Sequence, residues 1–218
     1  MLLCTYIFFI FVILIFNLKK IYNTKHKNKI NSIKKITSFL ISLCIVLGFS
    51  EVQSEIRLTT SLELGSDFTF YPKPVASDGK VIVDWGDGTK KEYTVGMWNK
   101  KVNGTQVGDT IRIFSPMQTF DCSDAHVTSV TIIDEPDLTL LDCYKNEIER
   151  TNLDISGALN LEILNCYNNP KLLFLNLSAH KKLKTLDCRH DKKIHRIQMT
   201  KEVLQPLSYP AKEVNWKI

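Results

Sequence analysis

The amino-acid sequence predicts a mainly β protein in which a small β domain is followed by a short parallel solenoid. Two patterns carry this prediction. In the second half of the chain, an apolar phrase closed by a cysteine recurs at intervals of 21, 23 and 22 residues. Before it, apolar and polar residues alternate with a period of two, as they do in half-buried strands. An apolar and lysine-rich region precedes both patterns.

Residues 1–54 predict a membrane or signal region with a basic stretch. An apolar run, Leu2–Phe16, is followed by seven lysines between Lys19 and Lys35, and then by a second run, Phe39–Phe49. The second run is short for a bilayer span and small residues follow it, which favours a secretory signal and an exported, secreted or surface-bound protein. We expect the region to contact the membrane or the export machinery. Two interpretations of Leu2–Phe16 stay open: a short membrane segment, or a stretch before the true start of translation.

The net charge of +5 comes from the basic stretch alone. Without its seven lysines, 21 basic residues face 23 acidic ones, which is a net charge of −2. A nearly neutral domain lacks the basic patch that binding to a phosphate backbone requires. Nucleic acid is therefore not an expected partner.

A small β-sandwich is predicted over residues 55–115. Alternation predicts five strands, which are Ile56–Thr60, Asp67–Tyr71, Val81–Trp85, Lys91–Val95 and Asp109–Phe114. Gly86-Asp87-Gly88 follows the third strand. Because glycine accepts the positive φ of tight hairpin turns, we expect the fourth strand to return antiparallel to the third.

Residues 116–199 contain the recurring cysteine phrase. It is written four times, as Met117-x-x-Phe120-x-Cys122, Leu138-x-x-Leu141-x-Cys143, Leu161-x-x-Leu164-x-Cys166 and Leu183-x-x-Leu186-x-Cys188. Asn146 and Asn169 follow two of the phrases, where Ala125 and Asp191 stand in the others. A period of 20–29 residues with this phrase is the signature of leucine-rich repeats. We predict about four solenoid turns, with residues 200–218 as a cap over the open end of the core.

The cysteine and asparagine ladders are predicted to be structural. The cysteines align with inward-facing leucines, where a free thiol packs as a small apolar group. Disulfides between neighbouring turns and a metal site were the alternatives, and the absence of a close pair such as C-x-x-C disfavours metal. Asn146 and Asn169 are expected to hydrogen-bond the loop backbone of adjacent repeats.

The stretch Val83-Asp84-Trp85-Gly86-Asp87-Gly88-Thr89 resembles the W-x-F-G-D-G core of bacterial PKD-like, immunoglobulin-type domains. Its order along the chain, a W-G-D-G-T hairpin before L-x-x-L-D-C repeats, is similar to that of exported bacterial leucine-rich-repeat proteins. This resemblance covers residues 56–190. It implies a place at the cell surface and a role in binding.

Catalytic and metal-binding patterns are weak in this sequence. No G-x-S-x-G, H-E-x-x-H or Walker loop is present. Cys188 and His190 do not form a nucleophile and base, because Cys188 points to the core and His190 falls in a turn. Asp84 and Asp87 lack the alternating acidic ligands of calcium loops. We expect neither an enzyme nor a cofactor.

A binding face is predicted on the repeat strands, because the residues between the inward leucines and cysteines point outward. They form three columns, which are Thr119, Leu140, Ile163 and Thr185, then Asp121, Asp142, Asn165 and Asp187, then Ser123, Tyr144, Tyr167 and Arg189. The hypothesis is a protein ligand on the exposed members of these columns, namely Leu140, Asp142, Tyr144, Ile163, Asn165, Tyr167, Asp187 and Arg189.

Three other interpretations stay open. The outward residues can be nothing more than β-favouring positions that a sheet tolerates. The repeats can act as a structural spacer without a ligand. The β domain can bind carbohydrate through Trp85 or Trp98, since exposed aromatic rings stack on sugars.

Overall fold

A computed structural model describes residues 53–96 and 100–204 of the chain. The strands are β1 (Glu55–Thr60), β2 (Asp67–Pro74), β3 (Lys80–Asp84), β4 (Lys90–Thr94), β5 (Val102–Thr105), β6 (Ile111–Ile113), β7 (Met117–Asp121), β8 (Val127–Ile133), β9 (Leu140–Asp142), β10 (Leu153–Asp154), β11 (Ile163–Asn165), β12 (Phe174–Asn176), β13 (Thr185–Asp187) and β14 (Arg196–Gln198). A short helix, α1 (Lys201–Leu204), follows them. The prediction of a mainly β chain is confirmed.

Residues 1–52 of the predicted signal region and most of the predicted cap lie outside the described residues. Of the cap, α1 is described, and its Val203 is fully buried against the end of the core. Within the described part of the chain, no helix is long and apolar enough to cross a membrane.

The second half of the chain has a solenoid-like arrangement. Strands β7, β9, β11 and β13 pair in parallel and in register, so that Phe120, Leu141, Leu164 and Leu186 are successive partners. A second strand in each turn forms the other side, where β8 pairs with β10 and β12 pairs with β14, again in parallel. The regular spacing of the cysteine phrase thus becomes a regular stacking of turns.

Both sides of the solenoid continue into sheets from the first half of the chain. One six-stranded sheet has the order β13-β11-β9-β7-β2-β5, and the other has the order β10-β8-β1-β6-β3-β4. The joins are antiparallel, between β7 and β2 and between β8 and β1. The predicted division between residues 115 and 116 is therefore crossed by two continuous sheets.

One hydrophobic cluster runs through the described chain. It combines the phenylalanines of β2 with the leucines of the repeats, and includes Cys122, Cys143, Cys166 and Cys188. The second apolar triplet of each repeat joins it, as Val127, Val130 and Ile132 do in the first turn. Burial of these side chains supplies the main force that holds the turns together.

The W-G-D-G loop joins β3 to β4, which return antiparallel as the sequence predicts. The Asp84 carboxylate accepts hydrogen bonds from the N–H groups of Gly86 and Gly88, at 2.8 and 3.0 Å. Both glycines have positive φ, 110° and 79°, a conformation that other residues adopt at a cost. Asp84 thus stabilises the turn, because its Oδ1 accepts both of these backbone hydrogen bonds.

Candidate binding face

The face formed by the outward side chains of β7, β9, β11 and β13 is called here the strand-lined face. Register places Thr119, Leu140, Ile163 and Thr185 in one column, and Asp121, Asp142, Asn165 and Asp187 in the next. These are the columns that the repeat spacing predicts. Parallel strands lie about 4.8 Å apart, so each side chain lies beside its equivalents in the adjacent turns.

Tyr144 and Tyr167 lie one residue beyond the cysteine of their repeats and stack on each other. Their ring centroids are 4.7 Å apart and the planes differ by 5°. The backbone holds this spacing, because the Lys145 N–H donates to the Tyr167 carbonyl at 2.9 Å and the Asp124 N–H donates to the Tyr144 carbonyl at 3.0 Å. Both residues are half-buried, so part of each side chain is open to solvent.

The predicted aliphatic members of the face are less open than expected. Leu140 and Ile163 are register partners, and both are half-buried rather than exposed. On the same two turns, the column of Asp142 and Asn165 lies between these aliphatic residues and the tyrosine pair. The face therefore presents a narrow aliphatic strip and a narrow aromatic strip on either side of a polar column.

The aspartates of the polar column have different hydrogen-bond partners from one end of the column to the other. At the last repeat, Arg189 pairs with Asp187 through Nε to Oδ1 at 2.9 Å and Nη2 to Oδ2 at 2.7 Å. These hydrogen bonds lower the pKa of Asp187. In the middle, burial raises the pKa of Asp142, whose Oδ1 accepts a hydrogen bond from the Asn165 amide. At the first repeat, Asp121 accepts from Ser123.

The face also extends beyond the repeats onto β2. Tyr71 is the register partner of Asp121, and Lys73 is the partner of Thr119. Tyr71 is 40% exposed, which makes it more accessible than the stacked pair. The sequence did not place either residue on this face, because the antiparallel pairing of β2 with β7 occurs once and produces no repeating sequence pattern. The alternation of β2 indicates only that both side chains point away from the core.

The asparagine ladder lies under the turns that carry the tyrosines. Asn146 is buried, its amide donates to the carbonyls of Cys122 and Cys143 at 2.8 and 3.1 Å, and its Oδ1 accepts from the N–H groups of Ala125 and Val127 at 3.0 Å. Asn169 repeats this pattern one turn later, with donation to Cys143 and Cys166. Each asparagine thus ties adjacent repeats together below the strand-lined face.

The four repeat cysteines are free thiols in the core. Burial raises the pKa of each thiol, to about 12 at Cys188, so the reactive thiolate is disfavoured. Within the described residues no cluster of three or more His, Cys, Asp or Glu could hold a metal ion. His190 is exposed with a positive φ of 64°, in the turn where the sequence places it.

The carbohydrate hypothesis loses one of its two tryptophans. Trp85 is 2% exposed, and its Nε1–H donates to the Tyr93 hydroxyl at 2.8 Å. Phe68 and Phe70 pack around the same ring. Trp85 therefore belongs to the core and cannot stack on a sugar, while Trp98 lies outside the described residues.

Comparison of the chain with protein-family models, with curated proteins and with solved structures gives no match. Any functional conclusion therefore depends on the geometry of the strand-lined face and on the sequence patterns.

Proposed function

We propose that this protein is an exported, surface-associated and non-catalytic binding module that docks a protein ligand on its strand-lined face. The observation that supports this proposal most is the stacked pair of Tyr144 and Tyr167, held at 4.7 Å on a rigid solenoid-like frame. Export is supported by the apolar runs and lysines of residues 1–54. A PKD-like β-sandwich and leucine-rich repeats, as the sequence resemblance implies, suit such a module.

Protein recognition is the function to which this pair is best suited. Tyrosine offers a large contact area and a polar hydroxyl at a low entropic cost, and it is enriched at the residues that dominate binding energy. Stacking and the asparagine ladder fix both rings before a ligand arrives, so little ordering remains to oppose association. Leu140 and Ile163 offer a second apolar contact on the same turns, on the other side of the Asp142 and Asn165 column.

Site-specific photocrosslinking in the native cells tests this function. We replace Tyr144 and Tyr167, one at a time, with the photoreactive amino acid p-benzoylphenylalanine, which keeps an aromatic ring at the site. Irradiation is expected to join the chain to one defined protein, identified by mass spectrometry. Tyr144→Ala combined with Tyr167→Ala should weaken capture of that protein by about tenfold or more, as expected for interface aromatic residues.

The matched control carries the photoreactive residue at Thr131 or Asp154, which lie on the other sheet. Adducts at the tyrosine positions but not at these two positions would support docking on the strand-lined face. A spacer without a ligand predicts no defined adduct at any of the four positions, and that result would refute the proposal.

A further inference from the structure

We propose that the partner places an arginine side chain on the strand-lined face, stacked on the open ring face of Tyr144 and paired with Asp121 and Asp142. This inference rests on the proposed function and specifies the chemistry of its ligand. Two neighbouring features support it, which are an aromatic stack that ends at Tyr144 and a pair of adjacent carboxylates. The site lies at the first and second repeats, where the solenoid meets β2.

The aromatic stack ends at Tyr144 because the preceding member of its column is Ser123. One face of the Tyr144 ring is covered by Tyr167, at an interplanar angle of 5°. The opposite face points to the first repeat, where a serine provides no ring to cover it. A flat group from another molecule can continue the stack at this position, and a guanidinium is both flat and attracted to a tyrosine face.

Negative charge accompanies this open position. Asp121 and Asp142 are register partners on adjacent strands, so two carboxylates lie side by side and repel each other. Among the described residues, neither carboxylate has a cationic partner in an ion pair. A cation inserted between them removes the repulsion, and only a positively charged ligand gains this energy.

The chain itself contains a template for this pairing. At the opposite end of the same columns, Arg189 follows Tyr167 in the third column and donates two hydrogen bonds to Asp187. Bidentate pairing of this kind favours arginine over lysine, whose ammonium is a point charge. The first repeat has the carboxylate, Asp121, but a serine in place of the arginine. A partner arginine would complete the column at that end.

Tyr71 closes the other side of the proposed site. It pairs with Asp121 across the join between β2 and β7 and is 40% exposed. Asp121 thus lies between Asp142 on β9 and Tyr71 on β2, and Tyr144 follows Asp142 two residues along the chain. Lys73 lies on β2 as well, where it pairs with Thr119 of β7, and it adds positive charge next to the site. The site therefore suits a ligand with few basic groups better than a highly basic surface.

The test uses the full chain in a mild non-ionic detergent and fluorescently labelled short peptides of alternating glycine with arginine, lysine or glutamate. Fluorescence anisotropy at physiological salt measures binding. We expect saturable binding of the arginine peptide, weaker binding of the lysine peptide and none of the glutamate peptide. Asp121→Asn with Asp142→Asn should weaken arginine-peptide binding by about tenfold, and Tyr144→Ala by a similar factor, as expected for a lost charge pair or cation–π contact.

The matched control variant is Asp134→Asn with Asp154→Asn, which removes two exposed carboxylates from the side of β8 and β10 and should leave binding unchanged. Equal binding to the Asp121/Asp142 variant, or equal losses in the control variant, would overturn the proposal. The two proposals fail separately. A crosslinked protein whose capture is insensitive to Asp121→Asn with Asp142→Asn would keep the docking face and overturn the arginine site. Peptide binding at this site without any crosslinked protein would overturn the docking function and leave an arginine-binding site without a protein partner.

Discussion

Asp191 occupies the ladder position that Asn146 and Asn169 occupy in the earlier repeats. It has a carboxylate oxygen, Oδ2, where the asparagines have an amide nitrogen. Its Oδ1 accepts a hydrogen bond from the Asn169 N–H, as an asparagine oxygen would. Its buried Oδ2 has no hydrogen-bond partner among the described residues, whereas the equivalent amide nitrogen of Asn169 donates to two cysteine carbonyls. An ionised carboxylate cannot donate there, but a protonated one can.

This defect makes the stability of the fold depend on pH. Burial raises the pKa of Asp191 to about 8, compared with about 3.9 in an unfolded chain. The folded chain holds the Asp191 proton more tightly than the unfolded chain does. The contribution of protonated Asp191 to the free energy of unfolding is therefore complete below about pH 4 and is lost as the pH rises through about 8. Glu135, whose pKa burial raises to about 7, acts in the same direction.

We predict that Asp191→Asn stabilises the protein at about pH 9 by roughly 1–3 kcal/mol, because the amide supplies the missing donor. At about pH 5 the gain should shrink, since the carboxyl is then neutral. Urea denaturation at both pH values measures the free energy of unfolding. Asp124→Asn, a change in an exposed turn, is the control and should alter it little. An equal gain at both pH values would contradict this account of Asp191.

At the scale of the element, the two repeat turns that carry a buried asparagine, Asn146 or Asn169, depend on it more than on any exposed group. We predict that Asn169→Ala lowers the free energy of unfolding by roughly 2–4 kcal/mol, because it removes the side-chain partner of the Cys166 carbonyl and of the Ile148 N–H. The Cys143 carbonyl loses one of its two donors and keeps the Asn146 amide. Asn152→Ala, at an exposed loop position, should cost less than about 0.5 kcal/mol. Denaturation in urea compares the two variants, and similar losses would rule out the ladder as the main tie between turns.

The repeat turns are the part of the fold that the sequence predicts best. Leucines, cysteines and asparagines recur with one period, so burial, register and outward columns follow from spacing alone. The backbone conformation of the turns does not follow in this way. Asp124, Lys145, Asn168 and His190 each stand two residues beyond a cysteine, and all have positive φ between 53° and 64°. Lysine is uncommon in this conformation, so the residue type at position 145 does not indicate a positive φ there.

At the scale of the whole molecule, the two halves of the chain share the two six-stranded sheets, whereas β12 and β14 form a separate pair. Periodicity could not indicate this sharing. Pairing of β1 with β8 and of β2 with β7 joins residues far apart in sequence, and such contacts depend on the assembled core. Strand β5 was missed because Asn103 and Gly104 disfavour strands. Its glycine is required by packing, since a Cβ on Gly104 would lie 2.3 Å from the Trp85 ring.

These shared sheets also decide the extent of the candidate site. The repeat columns, including Tyr144 and Asp142, were predicted from spacing, whereas Tyr71 reaches the strand-lined face only through the join with β2. The proposed ligand contacts therefore come from both halves of the chain. Glu135 supports this junction from below, as its buried carboxylate accepts hydrogen bonds from the Ser54 hydroxyl and from the Met117 N–H.

The location of binding is tested most directly by NMR chemical-shift mapping of the isotopically labelled full chain, titrated with the alternating glycine–arginine peptide. The account predicts that the largest shifts fall on the amides of residues 121–123 and 142–145, with a smaller change at Tyr71. Saturation should be lost in the Asp121→Asn, Asp142→Asn variant. Shifts centred on β8 and β10, or spread evenly over acidic residues of both sheets, would contradict the claim that the strand-lined face is the binding site.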